Sequence, residues 1–185
     1  MMRPTTKSLI TIICGFYLAA LVIPDLQEWI FLIDRAILSD GQIHGVATGE
    51  YWRILTVALT HGGIAHLFFN MYALLLLGNT LEEVIGRRKF LALFVISQIG
   101  ASFASLYANP ENQPSVGASG AIFGLFGAMA VLTRKYGFQD KSIYAIIGIN
   151  FAIGFVLPGI DWQAHLGGFV TGVLASLFLL APTRS

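Results

Sequence analysis

Apolar residues run through this chain in stretches of membrane-spanning length, separated mostly by short polar connections. A bilayer core of about 30 Å requires roughly 20 mostly apolar residues per helix. Six segments approach this length: 7–24, 64–81, 90–108, 117–133, 142–157 and 162–181. The pattern predicts an all-α membrane protein in which six transmembrane helices form one bundle, a single domain over residues 1–185.

The first segment has a second interpretation. Its strictly apolar stretch, Leu9 to Ile23, is short, and Arg3 and Lys7 precede it in the manner of a secretory signal. No small-x-small cleavage site follows, which favours an anchor over a removed leader. Whether this segment crosses the bilayer completely stays open.

Composition narrows the class of protein. Of the 185 residues, 56% are hydrophobic and 11% are charged, whereas soluble domains carry about 25% charged residues. A net charge of +1 without a basic stripe argues against a nucleic-acid partner. The single cysteine, Cys14, excludes a disulfide within the chain and a cysteine-based metal site.

Charge predicts the orientation. Nine of the eleven basic residues fall at one set of helix ends, and seven of the ten acidic residues fall at the other set. Basic loops stay cytoplasmic, so both termini are expected in the cytoplasm. The long connection 25–63 then lies outside, and its mixture of apolar and charged residues predicts an amphipathic segment in the outer interface.

Polar side chains inside apolar segments are costly and are therefore candidates for function. They are Ser119, His165, His66 and Asn70, with His61 just ahead of the second segment. At about 1.5 Å of rise per residue, Ser119, His66 and His165 each lie roughly 22–24 Å from the cytoplasmic end of their helix. They share one layer at the N-termini of three helices, where unpaired N–H groups suit a developing anion.

Small residues predict how this layer closes. Two pairs repeat at the G-x-x-x-G spacing that lets membrane helices approach closely: Gly120 with Gly124, and Gly168 with Gly172. Ser119 and His165 lie beside these glycine faces, so we expect the hydroxyl to approach the imidazole. The polar stretch 109–115 predicts a water-filled dip above them.

Four motifs follow one another along the chain: EYWR at 50–53, HGGIAHLFFN at 61–70, GASGAIFG at 117–124 and AHLGGFVTG at 164–172. Together they resemble the motifs of the rhomboid family of intramembrane serine proteases. EYWR at 50–53 resembles the Trp-Arg motif of the family's first external loop, and HGGIAHLFFN at 61–70 is similar to its histidine and asparagine segment. GASGAIFG at 117–124 and AHLGGFVTG at 164–172 fit its serine and histidine patterns. Each motif alone is weak, but four in this order on segments of the right polarity are highly specific.

The resemblance implies a role for each matching residue. Ser119 would be the nucleophile and His165 its general base, and His66, Asn70 and the Ser119 backbone N–H would form the oxyanion hole. The resemblance also implies supporting residues. His61 would hydrate the site, and Trp52 and Arg53 would brace the loop. Phe123 would stack on His165, at a position where many relatives have tyrosine, and the remaining supporting residues are the motif glycines Gly117, Gly120, Gly124, Gly168 and Gly172.

Other classes of function are weighed against this one. No acidic residue is expected in the layer of His165, which favours a Ser–His dyad over a triad. Three histidines at one depth also suit a metalloprotease, but that chemistry uses a glutamate as in H-E-x-x-H, and no acid lies between His61 and His66. A catalytically silent rhomboid-like binding protein or chaperone is the alternative; a transporter would carry paired inverted repeats, which are not evident.

The sequence therefore predicts an intramembrane serine endopeptidase without a cofactor, whose partners are membrane lipids and transmembrane protein substrates. The resemblance implies that substrate helices unwind before cleavage and that small residues are preferred at the cut. We expect the fifth segment to gate entry, loosened by Gly148, Asn150 and Gly154, and bulky-to-small changes at Phe151 or Phe155 to raise turnover. A prokaryotic cytoplasmic membrane is the expected location, and the oligomeric state is left undetermined.

Overall fold

The computed structural model describes residues 2–136, 142–156 and 159–179. The α-helices in these ranges are α1 Pro4–Ala20, α2 Leu26–Ile30, α3 Arg53–Thr56, α4 Ile64–Ile85, α5 Arg87–Ala108, α6 Ser119–Tyr136, α7 Ser142–Val156 and α8 Trp162–Leu179. Two short antiparallel strands, β1 Ala36–Ile37 and β2 Ile43–His44, form a hairpin in which Ala36 lies opposite His44.

Several of these helices suit a membrane. Among the described residues, α4, α5 and α8 are long and apolar enough to cross one, judged by length and composition, and Tyr144–Val156 within α7 is a shorter apolar stretch. The prediction of a helical membrane protein is confirmed in this general form. The hairpin between α2 and α3 is the one departure from an all-helical chain among the described residues.

Helix boundaries differ from the predicted segments by a few residues. The first segment, predicted at 7–24, is a helix over Pro4–Ala20, and the chain turns before Pro24, which disfavours helical backbone at the residue before it. The fourth segment begins at Ser119 instead of residue 117. Helices α4 and α5 extend beyond their apolar stretches, since helical hydrogen bonds do not require apolar side chains. The predicted ends at residues 157 and 181 lie outside the described residues.

Helix α8 packs more extensively against α5 and α6 than other helix pairs do. A Cβ atom at Gly168 would overlap the carbonyl oxygen of Gly120, and one at Gly172 would overlap that of Gly124. The backbones of α6 and α8 therefore touch, which is the close approach that small residues permit between membrane helices.

A buried carboxylate on α4 holds the first turn of α1 in place through hydrogen bonds. Glu82 of α4 is 4% exposed. It accepts hydrogen bonds from the backbone N–H groups of Thr5 and Thr6 at 2.9 and 2.8 Å and from the Thr6 hydroxyl at 2.9 Å. These N–H groups have no partner within α1 because they lie in its first turn.

The connection of residues 25–63, which we call the first loop, is a folded unit. Its apolar side chains divide: Leu32 and Ile33 are buried, whereas Trp29 and Ile37 are exposed. Leu32 exchanges two backbone hydrogen bonds with Ser115, and the Arg35 N–H donates to the Glu111 carbonyl. The first loop is therefore attached directly to the segment that leads into α6.

Candidate active site

Residue 119 lies at the start of α6, immediately after a turn that only glycine accommodates well. Gly117 has φ of +113°, and a Cβ there would lie 2.9 Å from Cε1 and 3.0 Å from Nε2 of the His66 ring. Because α6 begins at Ser119, the backbone N–H of this residue has no acceptor one turn earlier in the helix. A hydroxyl and an available N–H thus occupy the same residue.

The structure brings Ser119 and His165 together. His165 Nε2 lies 2.9 Å from Ser119 Oγ, although the residues are 46 positions apart in sequence. His165 lies in the first turn of α8 and is 8% exposed. A neutral imidazole with Nε2 as acceptor can take the hydroxyl proton of serine.

Aromatic stacking orients the imidazole. The Phe123 ring lies parallel to the His165 ring, with an interplanar angle of 8° and centroids 4.1 Å apart. The second ring nitrogen, Nδ1, has no hydrogen-bond partner among the described residues. No carboxylate therefore bonds to the second ring nitrogen of His165 within that part of the chain.

His66 and Asn70 lie one turn apart on α4, and the His66 ring lies beside the Gly117 turn. The Gly62 N–H donates to His66 Nδ1 at 3.3 Å. The neutral imidazole then carries its proton on Nε2, which lies beside the Gly117 turn. Asn70 donates one amide hydrogen to the His66 carbonyl at 2.9 Å, which leaves its second amide hydrogen available.

His61 is nearly fully buried, with 1% of its surface exposed, beside the same histidine. Its ring lies edge-on to the His66 ring, with centroids 5.2 Å apart. Neither ring nitrogen has a partner within the described ranges. A polar ring without a protein partner suits contact with a water molecule or a polar ligand.

Arg53 and Trp52 belong to the first loop and contact its backbone. The fully buried Arg53 donates from Nη1 to the carbonyls of Glu28 and Phe31 at 2.6 and 2.9 Å. Trp52 Nε1 donates to the Trp29 carbonyl at 3.1 Å. Both side chains hold α2 against α3, so they act on the loop.

A further charged group in the first loop escaped the sequence analysis. His44 Nδ1 lies 2.7 Å from Glu50 and its Nε2 lies 3.0 Å from Asp40, and Glu50 also accepts from Arg53 Nε at 2.6 Å. The hydrogen bonds that His44 donates, first to Glu50 and then to Asp40, raise the pKa of His44 above its usual value. Ionised carboxylates only accept hydrogen bonds, so both contacts require the imidazolium. No sequence motif indicated this group.

Asp161 lies four residues before His165, although the sequence led us to expect no acidic residue in the layer of this histidine. Asp161 accepts from the Ala164 N–H at 2.9 Å and from the Ser105 hydroxyl at 2.5 Å. An aspartate directly before an apolar helix is a recognised N-cap signal, and it could have identified this residue. Ser105, on another helix, had no such signal.

Helix α7, the predicted gate, approaches the imidazole from its other side. A Cβ at Gly154 would lie 3.4 Å from His165 Nδ1. Phe151 packs edge-on to Phe123 with centroids 4.8 Å apart, whereas Phe155 is 62% exposed and contacts Trp162. Gly148 has open space around it, and Asn150 donates to the Ile146 carbonyl within α7.

The described residues contain no group of three or more His, Cys, Asp or Glu side chains placed to hold a metal ion. The arrangement that can do chemistry is instead a serine hydroxyl with an imidazole acceptor. The His66 ring of α4 lies beside the turn that precedes this serine.

Comparison with known proteins identifies the family. The Rhomboid domain model matches residues 48–182. The chain is 41% identical over 142 residues to "Rhomboid protease GluP" of Bacillus subtilis (strain 168), which covers 74% of this chain and 28% of that protein.

Two relatives from Arabidopsis thaliana have similar identity. "RHOMBOID-like protein 5" is 39% identical over 143 residues, covering 73% of this chain and 46% of that protein. "Inactive RHOMBOID-like protein 8" is 37% identical over 139 residues, covering 71% and 39%. The matched region is less than half the length of each of these three relatives. On the match to the Rhomboid domain over residues 48–182, this chain belongs to the rhomboid family.

Proposed function

We propose that this protein is an intramembrane serine endopeptidase that cleaves transmembrane segments of other membrane proteins through a Ser119–His165 dyad. One observation carries the proposal: the 2.9 Å contact between Ser119 Oγ and His165 Nε2 at the N-termini of two touching helices. Membership of a family that includes named proteases supports it.

In the proposed reaction, His165 Nε2 accepts the hydroxyl proton as Ser119 Oγ attacks the scissile carbonyl. The negative charge that develops on the carbonyl oxygen is stabilised by the Ser119 N–H, the Nε2–H of His66 and the free amide hydrogen of Asn70. His165 then returns its proton to the leaving amine. Water hydrolyses the acyl-enzyme, with His165 again as base.

The proposal includes six membrane crossings by α1, α4, α5, α6, α7 and α8, with both termini in the cytoplasm of a prokaryotic cell and the first loop outside. The excess of basic residues at one set of helix ends supports this orientation. The catalytic layer then lies beneath the outer surface, and a substrate helix enters laterally past α7.

Serine reactivity tests the proposal. The full chain in detergent or bilayers is treated with a fluorophosphonate probe, and membranes containing wild type, Ser119→Ala or His165→Ala are compared for uncleaved single-span proteins. We expect wild type alone to be labelled and to deplete a substrate. Asn70→Ala should keep the labelled serine but lose on the order of 100-fold in kcat, since an oxyanion donor has that effect.

One relative is named inactive. The same experiment therefore distinguishes a protease from a catalytically silent binding protein. A folded wild type that resists the probe and cleaves no more than Ser119→Ala would refute the protease assignment. Activity that survives exhaustive chelation separates the dyad from metal-dependent hydrolysis.

A further inference from the structure

The geometry points to Asp161 as a positioning residue for the general base: it fixes the start of α8 on α5 and thereby sets where His165 meets Ser119. This inference rests on the proposed function, because it concerns how the imidazole is held for proton transfer. It assigns a role to a carboxylate that does not touch the imidazole nitrogens in the described structure.

The first observation is a helix cap. Helix α8 begins at Trp162, so Asp161 occupies the N-cap position, and its Oδ1 accepts the backbone N–H of Ala164, the third residue of the helix, at 2.9 Å. The Asp161 carbonyl accepts the N–H of His165 at 3.3 Å, the first backbone hydrogen bond of the helix. These bonds define the backbone of the turn that carries the imidazole.

The second observation is an anchor between helices. Asp161 Oδ2 accepts the hydroxyl of Ser105 at 2.5 Å, and Asn109 Nδ2 donates to the same hydroxyl oxygen at 3.1 Å. Ser105 lies on α5 and is 3% exposed. One carboxylate thus holds the helix start with one oxygen and a neighbouring helix with the other. The two contacts restrict sliding and rotation of α8 at its first turn.

The third observation is what holds the imidazole itself. Its Nε2 faces Ser119, its plane stacks on Phe123, and its buried Nδ1 has no partner in the described part of the chain. A third side chain that hydrogen-bonds the imidazole is therefore not what orients it there. The position of the Cα atom on α8 becomes decisive, and Asp161 controls that position through the backbone.

Kinetics of the full chain test the assignment in wild type, Asp161→Asn, Asp161→Ala and Ser105→Ala. Asparagine is also a favoured N-cap, and its amide group can donate to the Ser105 oxygen, so we expect Asp161→Asn to keep kcat within about threefold. Asp161→Ala should lose on the order of 100-fold in kcat with little change in KM, because a displacement of about 1 Å has that effect. Ser105→Ala should fall between them.

Two controls separate positioning from general stability. Ser176→Ala removes a buried hydroxyl that donates to the Val173 carbonyl elsewhere on α8, and Glu82→Ala removes a buried capping carboxylate at the other end of the bundle. Both should retain wild-type kcat in the folded fraction. A folded Asp161→Ala with wild-type kcat would overturn the inference. Equal losses in Asp161→Asn and Asp161→Ala would do the same, because charge instead of capping would then be responsible.

Nitrogen-15 NMR of the histidine side chains gives a readout that needs no turnover. We expect the His165 signal to shift in Asp161→Ala and Ser105→Ala and to stay in place in Ser176→Ala. An unchanged His165 signal in Asp161→Ala refutes the positioning role, whatever the activity of the wild type. A displaced His165 signal in a protein whose wild type is silent supports the positioning role and refutes the protease.

Discussion

At the scale of single residues, the Gly117 turn meets two requirements at one position. Its positive φ is a conformation that other residues adopt only with strain. The absence of a side chain also leaves room for the His66 ring. The turn therefore brings the start of α6 next to the proposed His66 donor.

Gly117→Ala tests this double requirement. The added methyl group would contact the His66 ring, and the backbone strain alone costs about 1–3 kcal/mol. We expect a folded but less stable protein with kcat reduced on the order of 100-fold, since the oxyanion donor is displaced. The measurements are thermal unfolding and initial rates.

Gly49→Ala is the matched control, because Gly49 also has a positive φ, +97°, with nothing within 4 Å of the added Cβ. It should lose stability without a comparable loss of kcat. Similar kcat losses in both variants would show that strain, and not contact with His66, explains the effect.

At the scale of elements, a network of charged side chains joins the hairpin of the first loop to α3. Protonated His44 bridges Asp40 and Glu50, and Glu50 accepts from buried Arg53. Burial alone would raise the pKa of Glu50, but hydrogen bonds from His44, Arg53 and the Gly45 N–H outweigh it and lower that pKa. The pKa of Asp40 is lowered chiefly by the Gln42 N–H and then by His44.

These directions predict how the stability of the first loop depends on pH. The raised pKa of His44 means that its contribution is fully present below the usual value of 6.5 and is lost as pH rises through the raised value. The lowered pKa values of Glu50 and Asp40 mean that their contributions are present above 4.5 and 3.8 and are lost as pH falls below those values. The loop should therefore be most stable between about pH 4.5 and 6.5.

Hydrogen exchange of the hairpin amides between pH 5 and 8, corrected for the intrinsic pH dependence of exchange, checks this prediction in wild type and His44→Gln. The charged groups that face His44 are Asp40, Glu50 and, farther away, Glu28. Wild-type protection should fall as pH rises above 6.5, whereas that of His44→Gln should change little. Parallel profiles for both proteins would contradict a role for His44 protonation.

Helix α7 offers a second prediction at this scale, because its two phenylalanines have different surroundings. Phe155 is exposed and its ring contacts Trp162 at the start of α8, whereas Phe151 packs against the ring that stacks on His165. The sequence predicted the same effect for both substitutions, but these surroundings predict different effects. Phe155→Ala should loosen α7 and raise turnover of a transmembrane substrate by two- to tenfold, roughly, if entry limits the rate.

Phe151→Ala should instead lower kcat, because Phe123 loses an edge contact beside the imidazole. Val156→Ala, at another exposed position of α7, is the control and should leave turnover unchanged. Turnover that stays constant in Phe155→Ala would argue against entry at this helix. The rates are measured on a single-span substrate in bilayers.

At the scale of the whole molecule, the glycine contacts between α6 and α8 bring together the ends of two helices that begin on the same side of the bundle. Ser119 and His165 lie in their first turns. The proposed orientation then puts the site near the outer surface and the basic helix ends in the cytoplasm.

Cysteine labelling tests that orientation. Starting from Cys14→Ala, a single cysteine replaces exposed Glu111 or exposed Arg88. We expect an impermeant maleimide to label residue 111 in intact cells and residue 88 only after the membrane is opened, because basic loops stay inside. The opposite pattern would invert the orientation, and labelling of both sites in intact cells would contradict the single crossing by α5 that the proposal places between them.

The sequence by itself determined the class of protein and the residues that could carry chemistry. Long apolar segments are a one-dimensional property, since a bilayer selects for length and hydrophobicity. The direction of each segment likewise predicted that Ser119, His66 and His165 lie near the N-termini of their helices. Glycine spacing also indicated which faces could touch, and those faces of α6 and α8 do touch in the structure.

Only the tertiary structure decided how close the side chains lie and what holds them. Several contacts join residues whose spacing in sequence has no fixed relation to their distance in space. They are the contact of Ser119 with His165, the parallel ring of Phe123, the bridge from Asp161 to Ser105 and the charges around His44. Helix periodicity describes one element at a time. Contacts between elements depend on how several backbones pack together, and hydrogen bonds vary over tenths of an ångström that no sequence pattern specifies.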